Sequence, residues 1–198
     1  MAPKQQRGEA TVDLLLDTAL AVYAASGRQG FTVNAVTAAS GVSFGSLYHH
    51  FGSFDGLAAA LYIRCQDQLC DPVVAAVTRC RTARTGVQAF VKAYLDFTRE
   101  HRDVATFVHA SAYSRYLAAH AKEVAAAKEA KFAAIASWMY ARVAAGEVAV
   151  LPDQTIEVLL LGPVAETAHR WLVGGYEVDL DEAVRVLPDR IWRSLRAD

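Results

Sequence analysis

Apolar side chains recur along this chain at three- and four-residue spacing, and no stretch shows the two-residue alternation of strands. Leu16, Ala19, Leu20 and Tyr23 mark one face of a first helix, which Gly27 is placed to end. Thr32 is suited to cap a short second helix whose inner stripe is Val33, Val36, Thr37 and Ser40. Gly41 then supplies a turn with positive φ, where a side chain would be strained. Ser43 opens a third short helix carrying Leu47, Tyr48 and Phe51, and Ser53 a fourth with Asp55 in its electropositive first turn. This fourth helix is expected to run toward Cys70 and stop at Asp71-Pro72, because proline brings no N–H to the helix ladder.

Five longer patterns follow. Residues 85–101 carry Phe90, Val91, Tyr94 and Phe97 on one side, and residues 103–119 carry Val104, Phe107, Val108 and Ala112. Residues 121–145 carry Phe132, Ile135, Met139 and Val143, whereas 153–174 are apolar nearly all round. The last pattern, 180–196, shows Val184, Leu187, Ile191 and Leu195. Gly146, Leu151-Pro152-Asp153 and Gly174-Gly175 separate the last three, and Gly162-Pro163 is expected to kink the fourth. The expectation is an all-α chain of about nine helices.

Composition sharpens this picture at two points. Hydrophobic residues make up 54% of the 198 positions and charged ones only 21%, so apolar surface must be hidden in an oligomer interface or a pocket. The net charge of −1 supplies no whole-chain attraction to nucleic acid, membrane or acidic substrates. Lys4 and Arg7 followed by Leu14-Leu15-Leu16 have the outline of a secretory signal, but Asp13 and Asp17 interrupt the apolar run and favour an amphipathic helix. No run of 18 apolar residues is present, and no membrane association is expected. Cys65, Cys70 and Cys80 lack the spacing of a disulfide framework and read as small buried hydrophobes.

Catalytic chemistry finds no footing. No nucleophile–base pair, phosphate loop or metal-ligand spacing is present, and the adjacent His49 and His50 point in different directions on one helix. His101, His109, His120 and His169 are scattered, so neither an enzyme, a metal site nor a cofactor is expected.

The segment from Thr32 to Phe51 holds two short helices around a glycine turn, the size of a helix-turn-helix unit whose second helix enters the major groove of DNA. Thr37 and Ser40 are small enough for a close crossing, and Val36, Val42 and Leu47 supply a miniature core. Any αα-hairpin can imitate that outline. The particular residues go further: Gly27, Thr32-Val33, Val36, Gly41-Val42-Ser43, Gly45-Ser46-Leu47-Tyr48, His50-Phe51 and Leu57 stand at fixed spacing. In these positions segment 14–62 resembles the DNA-binding domain of the tetracycline-repressor (TetR) family.

The resemblance implies a DNA-binding domain over residues 1–52 and a helical ligand-binding and dimerisation domain over 53–198. It implies that Thr32, Ser46, Tyr48 and His49 contact phosphates, with Phe44 and Gly45 facing base edges and Ser43 at the helix start. The chemistry agrees in part, since hydroxyls and helix N-terminal amides suit phosphate. Ser43 also reads as a simple cap, and Tyr48 as a partly buried ring. The chain departs from the family where Val12 replaces a frequent arginine and Ser53-Phe54-Asp55 replaces Ser-Lys-Glu. Residues 1–62 set Lys4, Arg7 and Arg28 against Glu9, Asp13, Asp17 and Asp55, so little phosphate charge is neutralised and a shallow salt dependence is expected.

The resemblance further implies a homodimer through helices 153–174 and 180–196, a palindromic double-stranded operator, repression as the default mode and a cytoplasmic site of action. A small, largely apolar effector is expected among the middle helices, near Phe90, Tyr94, Phe97, Phe107, Tyr113, Tyr116 and Trp138, with His109 and His169 to orient it. Each of these aromatic residues reads equally as ordinary core.

Overall fold

The structure is a computed structural model and describes residues 3–111, 115–174 and 177–197. Among the described residues there are ten helical segments: α1 (Pro3–Gly30), α2 (Val33–Ser40), α3 (Phe44–Phe51), α4 (Phe54–Thr78), α5 (Ala83–Glu100), α6 (Arg102–Ser111), α7 (Arg115–Ala118), α8 (Ala121–Ala144), α9 (Asp153–Val173) and α10 (Leu180–Leu195). Nine of them span eight residues or more and α7 only four, in line with the expected all-α chain. The described residues hold no strand, only one isolated bridge between Val148 and Arg196.

Two compact units result, Met1–Gln66 with Thr106–Ala127, and Asp67–Ala105 with Lys128–Asp198. In the first, α1 buries Leu15, Leu16, Ala19 and Tyr23, α2 buries Val36, α3 buries Leu47 and α4 buries Leu57 and Leu61. Tyr23, Phe31 and Phe107 form a triangle of edge-to-face rings, with centroids 4.8 to 5.9 Å apart. That geometry sets ring edges against ring faces and adds to the burial itself. Arg64 of α4 holds Asp17 of α1 at 2.8 Å. Gly8–Gly30 is long and apolar enough to cross a membrane by length and composition, but its buried leucines and Tyr23 make it a core helix of this unit.

In the second unit α10 packs on α5 and α9, and α5 on α9. Phe90, Val91, Tyr94, Leu95 and Phe97 line the buried side of α5, and Leu160 and Val164 of α9 and Ile191 and Leu195 of α10 are buried in the same unit. Arg99–Asp181 at 2.7 Å and Arg84–Asp189 at 3.0 Å pin α5 to α10 at the exposed margin. Exposed pairs of this kind contribute about 0–1 kcal/mol each, so the apolar stripe carries the packing.

One boundary differs from expectation. α4 does not stop at Asp71-Pro72 but continues to Thr78 with Pro72 inside it. Proline removes one ladder hydrogen bond, yet Leu69, Cys70, Val73 and Val77 are all buried on either side, and their burial outweighs that loss. α9 is continuous from Asp153 to Val173, with Pro163 inside it. The pattern expected at 103–119 appears as α6 and α7, with Ala112 and Tyr113 outside the described residues.

The cysteines are free, with Cys65 and Cys70 buried. Burial pushes both thiols up to about 12; Arg64 partly offsets this at Cys65, whereas Asp67 and Asp71 reinforce it at Cys70. Since the thiolate is the reactive form, both should resist alkylation at pH 8. Titration of the native protein with a disulfide reagent should show at most one promptly reacting thiol, at Cys80, and three after unfolding. Prompt reaction of all three would contradict this. A raised folded-state pKa also means that the two thiols keep their protons when unfolded chains have lost theirs, so stability should fall between about pH 9 and pH 12.

Candidate nucleic-acid interface

The α2–α3 hairpin is shaped by its caps. Thr32, in extended conformation, accepts the Ala35 N–H on its hydroxyl at 3.2 Å and starts α2. Gly41, at φ 69°, ends it and donates to the Thr37 carbonyl at 3.0 Å. Ser40 accepts from Val42 N–H at 3.2 Å inside the turn. Ser43 then caps α3 by accepting from Ser46 N–H at 3.2 Å, and Gly52 closes it on the Tyr48 carbonyl at 2.9 Å. Each expected cap is therefore made, and the turn uses a glycine where positive φ excludes most residues.

One side of α3 is anchored. Leu47 has no exposure, and neither has Val36 of α2. Thr37 sends its hydroxyl back to the Val33 carbonyl at 2.9 Å, which satisfies the polar atom within its own helix. The opposite side faces solvent: Phe44 is 45% and Tyr48 44% exposed, and Ser43, Gly45 and His49 are exposed with them. Ser46 is half-buried, as are His50 and Phe51. The first-turn amides of Phe44 and Gly45 have no preceding helical carbonyl to bind and point out of the helix start. Thr32 is exposed at the head of α2. All seven sequence-derived DNA candidates thus belong to one hairpin, with six of them exposed and Ser46 partly so.

The candidate effector residues do not form one cluster. Phe107 is fully buried against Tyr23 and Phe31, in the same unit as half-buried His109. Phe90 and Tyr94 are buried neighbours in the other unit, 6.1 Å apart, and Phe97 stands 4.5 Å from the His101 ring. His169 lies exposed on α9. Trp138 donates its indole N–H to the Cys80 carbonyl at 3.0 Å and lies under the Arg142 guanidinium. Tyr113 lies outside the described residues, and so does the side chain of Tyr116.

Two further features escaped the sequence reading. The Ser111 hydroxyl is fully buried with no hydrogen-bond partner among the described residues. A groove of about 570 Å³ in the second unit is lined by Gln68, Asp71, Ala93, Asp96, Phe97 and Glu100, with Pro72 and His101 at its walls. Neither has a sequence signal, because both depend on which helices meet.

Residues 15–61 match the family of bacterial regulatory proteins called tetR. No curated protein matches the chain. In three dimensions it resembles a TetR family transcription regulator from Marinobacter aquaeolei VT8, with a TM-score of 0.79, 18% identity, and coverage of 98% of this chain and 100% of that one. A second such regulator, from Shewanella sp. PV-4, gives a TM-score of 0.79 at 18% identity over 95% of this chain and 99% of that one. The fatty acid degradation regulator FadR from Bacillus halodurans gives 0.70 at 15% identity over 93% and 99%. At these identities the likeness is one of fold, and it extends over nearly the whole chain. The helix-turn-helix segment is thus matched in sequence to the tetR family, and the remaining helices resemble those of solved tetR regulators in architecture.

Proposed function

We propose that this protein is a cytoplasmic, ligand-responsive repressor that binds a palindromic operator as a homodimer and leaves it when a small, largely apolar effector binds. The observation that carries the reading is α3 itself, held inside by Leu47 and presenting Phe44, Gly45, Tyr48 and His49 outward from a capped start. Residues 1–52 read DNA in this scheme and 53–198 dimerise and bind the effector. Thr32, Ser46, Tyr48 and His49 hold phosphates, aided by the open amides behind the Ser43 cap. Two-fold pairing sets two α3 helices a helical turn of DNA, or a multiple, apart.

Two copies pair through α9 and α10. The apolar side of α9 that its own unit does not use, and the exposed Val186 on α10, supply the surface. The effector candidates fall into two separate groups, Phe90, Tyr94 and Phe97 in one unit and Phe107 and His109 in the other, either of which is an apolar setting by itself, with Tyr113, Trp138 and His169 as further candidates. Ser111 adds a buried hydroxyl that a bound polar atom would satisfy, an unmet group of this kind costing about 1–3 kcal/mol. The fatty acid degradation regulator among the fold relatives is compatible with an apolar effector class. Such an effector acts only by binding the two conformational states of the dimer with different affinity.

Selection from randomised DNA followed by fluorescence polarisation tests the reading. A palindromic sequence should be enriched, and the pair Ser46→Ala with Tyr48→Phe should weaken its binding by roughly 100-fold. That is a conservative figure: four hydroxyls are lost per dimer, and two of them at about 1.5 kcal/mol each already amount to about 3 kcal/mol, the remainder being left to non-additivity. The acidic balance of residues 1–62 motivates the rival reading, a ligand carrier on the same fold. Failure to enrich any sequence, with effector binding intact, would favour that rival.

A further inference from the structure

The exposed face of α3 lacks every side chain that reads a base through paired hydrogen bonds. Arginine and lysine serve guanine in this way, asparagine and glutamine serve adenine, and carboxylates accept from cytosine. None of these six residue types occurs from Ser43 to Phe51. What protrudes instead is a phenyl ring: Phe44, at the first position of the helix, is 45% exposed. Tyr48 lies four residues on and therefore on the same face, its own ring 44% exposed. Beside Phe44, a Cβ placed on Gly45 would meet no atom closer than 4.0 Å, so the ground around the ring is open.

An exposed phenylalanine at the tip of a helix makes no hydrogen bond and gains nothing from water. In the major groove one apolar feature is available to it, the C5-methyl group of thymine. Against any other base edge the ring would displace water from donors or acceptors without replacing the bonds lost. We propose that Phe44 determines operator specificity by packing on the thymine C5-methyl group, with one such thymine in each half-site. This deepens the DNA-binding reading and rests on it. Specificity at that step comes from an apolar contact and the exclusion of polar edges.

The test removes one methyl group at a time. On the sequence enriched from randomised DNA, each thymine is replaced in turn by deoxyuridine, and binding of the full-length protein is followed by polarisation. At one thymine per half-site the loss should weaken binding about fourfold, and about 16-fold when both half-sites are changed, the value of burying one methyl group. Phe44→Ala, which removes an exposed ring and should melt as the parent does, should bind the thymine and deoxyuridine sites alike. 5-Methylcytosine should outperform cytosine at the same position. Equal binding of every deoxyuridine site by the parent, or an unchanged deoxyuridine penalty in Phe44→Ala, would overturn the proposal while leaving the regulator reading standing. Enrichment of no sequence at all would overturn both.

Discussion

Val158→Glu in α9 is expected to yield a folded monomer whose operator affinity is lower by something on the order of 10²–10⁴-fold, the advantage that linking two half-site contacts confers. α9 carries two apolar stripes. Ile156, Leu160, Val164 and Ala168 recur every four residues and are buried in the helix's own unit. Val158, Leu161, Gly162 and Ala165 recur at i, i+3, i+4 and i+7 on another side. Val158 is 67% exposed, and the other three are half-buried. Gly162 and Ala165 are small enough to let a second helix approach closely. A carboxylate at 158 leaves the inner stripe untouched, so folding should survive, but pairing would have to strip its water. Analytical ultracentrifugation at about micromolar concentration separates the outcomes. A Val158→Glu dimer as tight as the parent, or a monomeric parent, would move the pairing surface away from α9.

The contrast between what could be read along the chain and what could not has a physical basis. Caps are local: a hydroxyl and an amide three residues apart need no distant partner, which is why Thr32 and Ser43 were legible as helix starts. Gly27 and Gly41 were legible for the same reason: Gly41 ends α2 at positive φ, and Gly27, at φ 61° and ψ −166°, breaks the helical path inside the range of α1, so the regular first helix ends there. Pro72 was misjudged because its local penalty competes with burial of Leu69, Cys70, Val73 and Val77, which only the folded unit provides. Aromatic spacing told which face of a helix is buried but not against what. Phe107 has the same periodic signature as Phe90 and Tyr94, yet packs with Tyr23 and Phe31 in the other unit. The Arg64–Asp17 pair and the buried hydroxyl of Ser111 had no local trace, since both are made by helices remote in sequence.

Gly86→Ala should destabilise the parent protein and yet stabilise, or leave unchanged, a Trp138→Ala variant. Trp138 on α8 lies directly over Gly86 near the start of α5, so close that a Cβ on Gly86 would fall 2.1 Å from its ring carbon Cη2. A ring at the end of a flexible side chain could swing aside, but this one is held. Its N–H binds the Cys80 carbonyl at 3.0 Å, and the Arg142 guanidinium covers its face with Cζ 4.9 Å from the ring centroid. Trp138→Ala alone should cost about 3 kcal/mol, the low end for tryptophan truncation because the ring is only half-buried. The Cys80 carbonyl is not orphaned in that variant, since Arg142 also donates to it at 3.1 Å. For a chain of this length the loss corresponds to a melting point lower by about 6–12 °C. Gly86→Ala in the parent forces the ring off its partners, at about 1–3 kcal/mol. With the ring gone, the three atoms nearest to the new Cβ are gone with it, and the same alanine contributes its better helix propensity, about 1 kcal/mol in the opposite direction. Urea melts of the four proteins measure the coupling directly, and additive effects would show that Trp138 yields freely and does not fix how α5 and α8 meet.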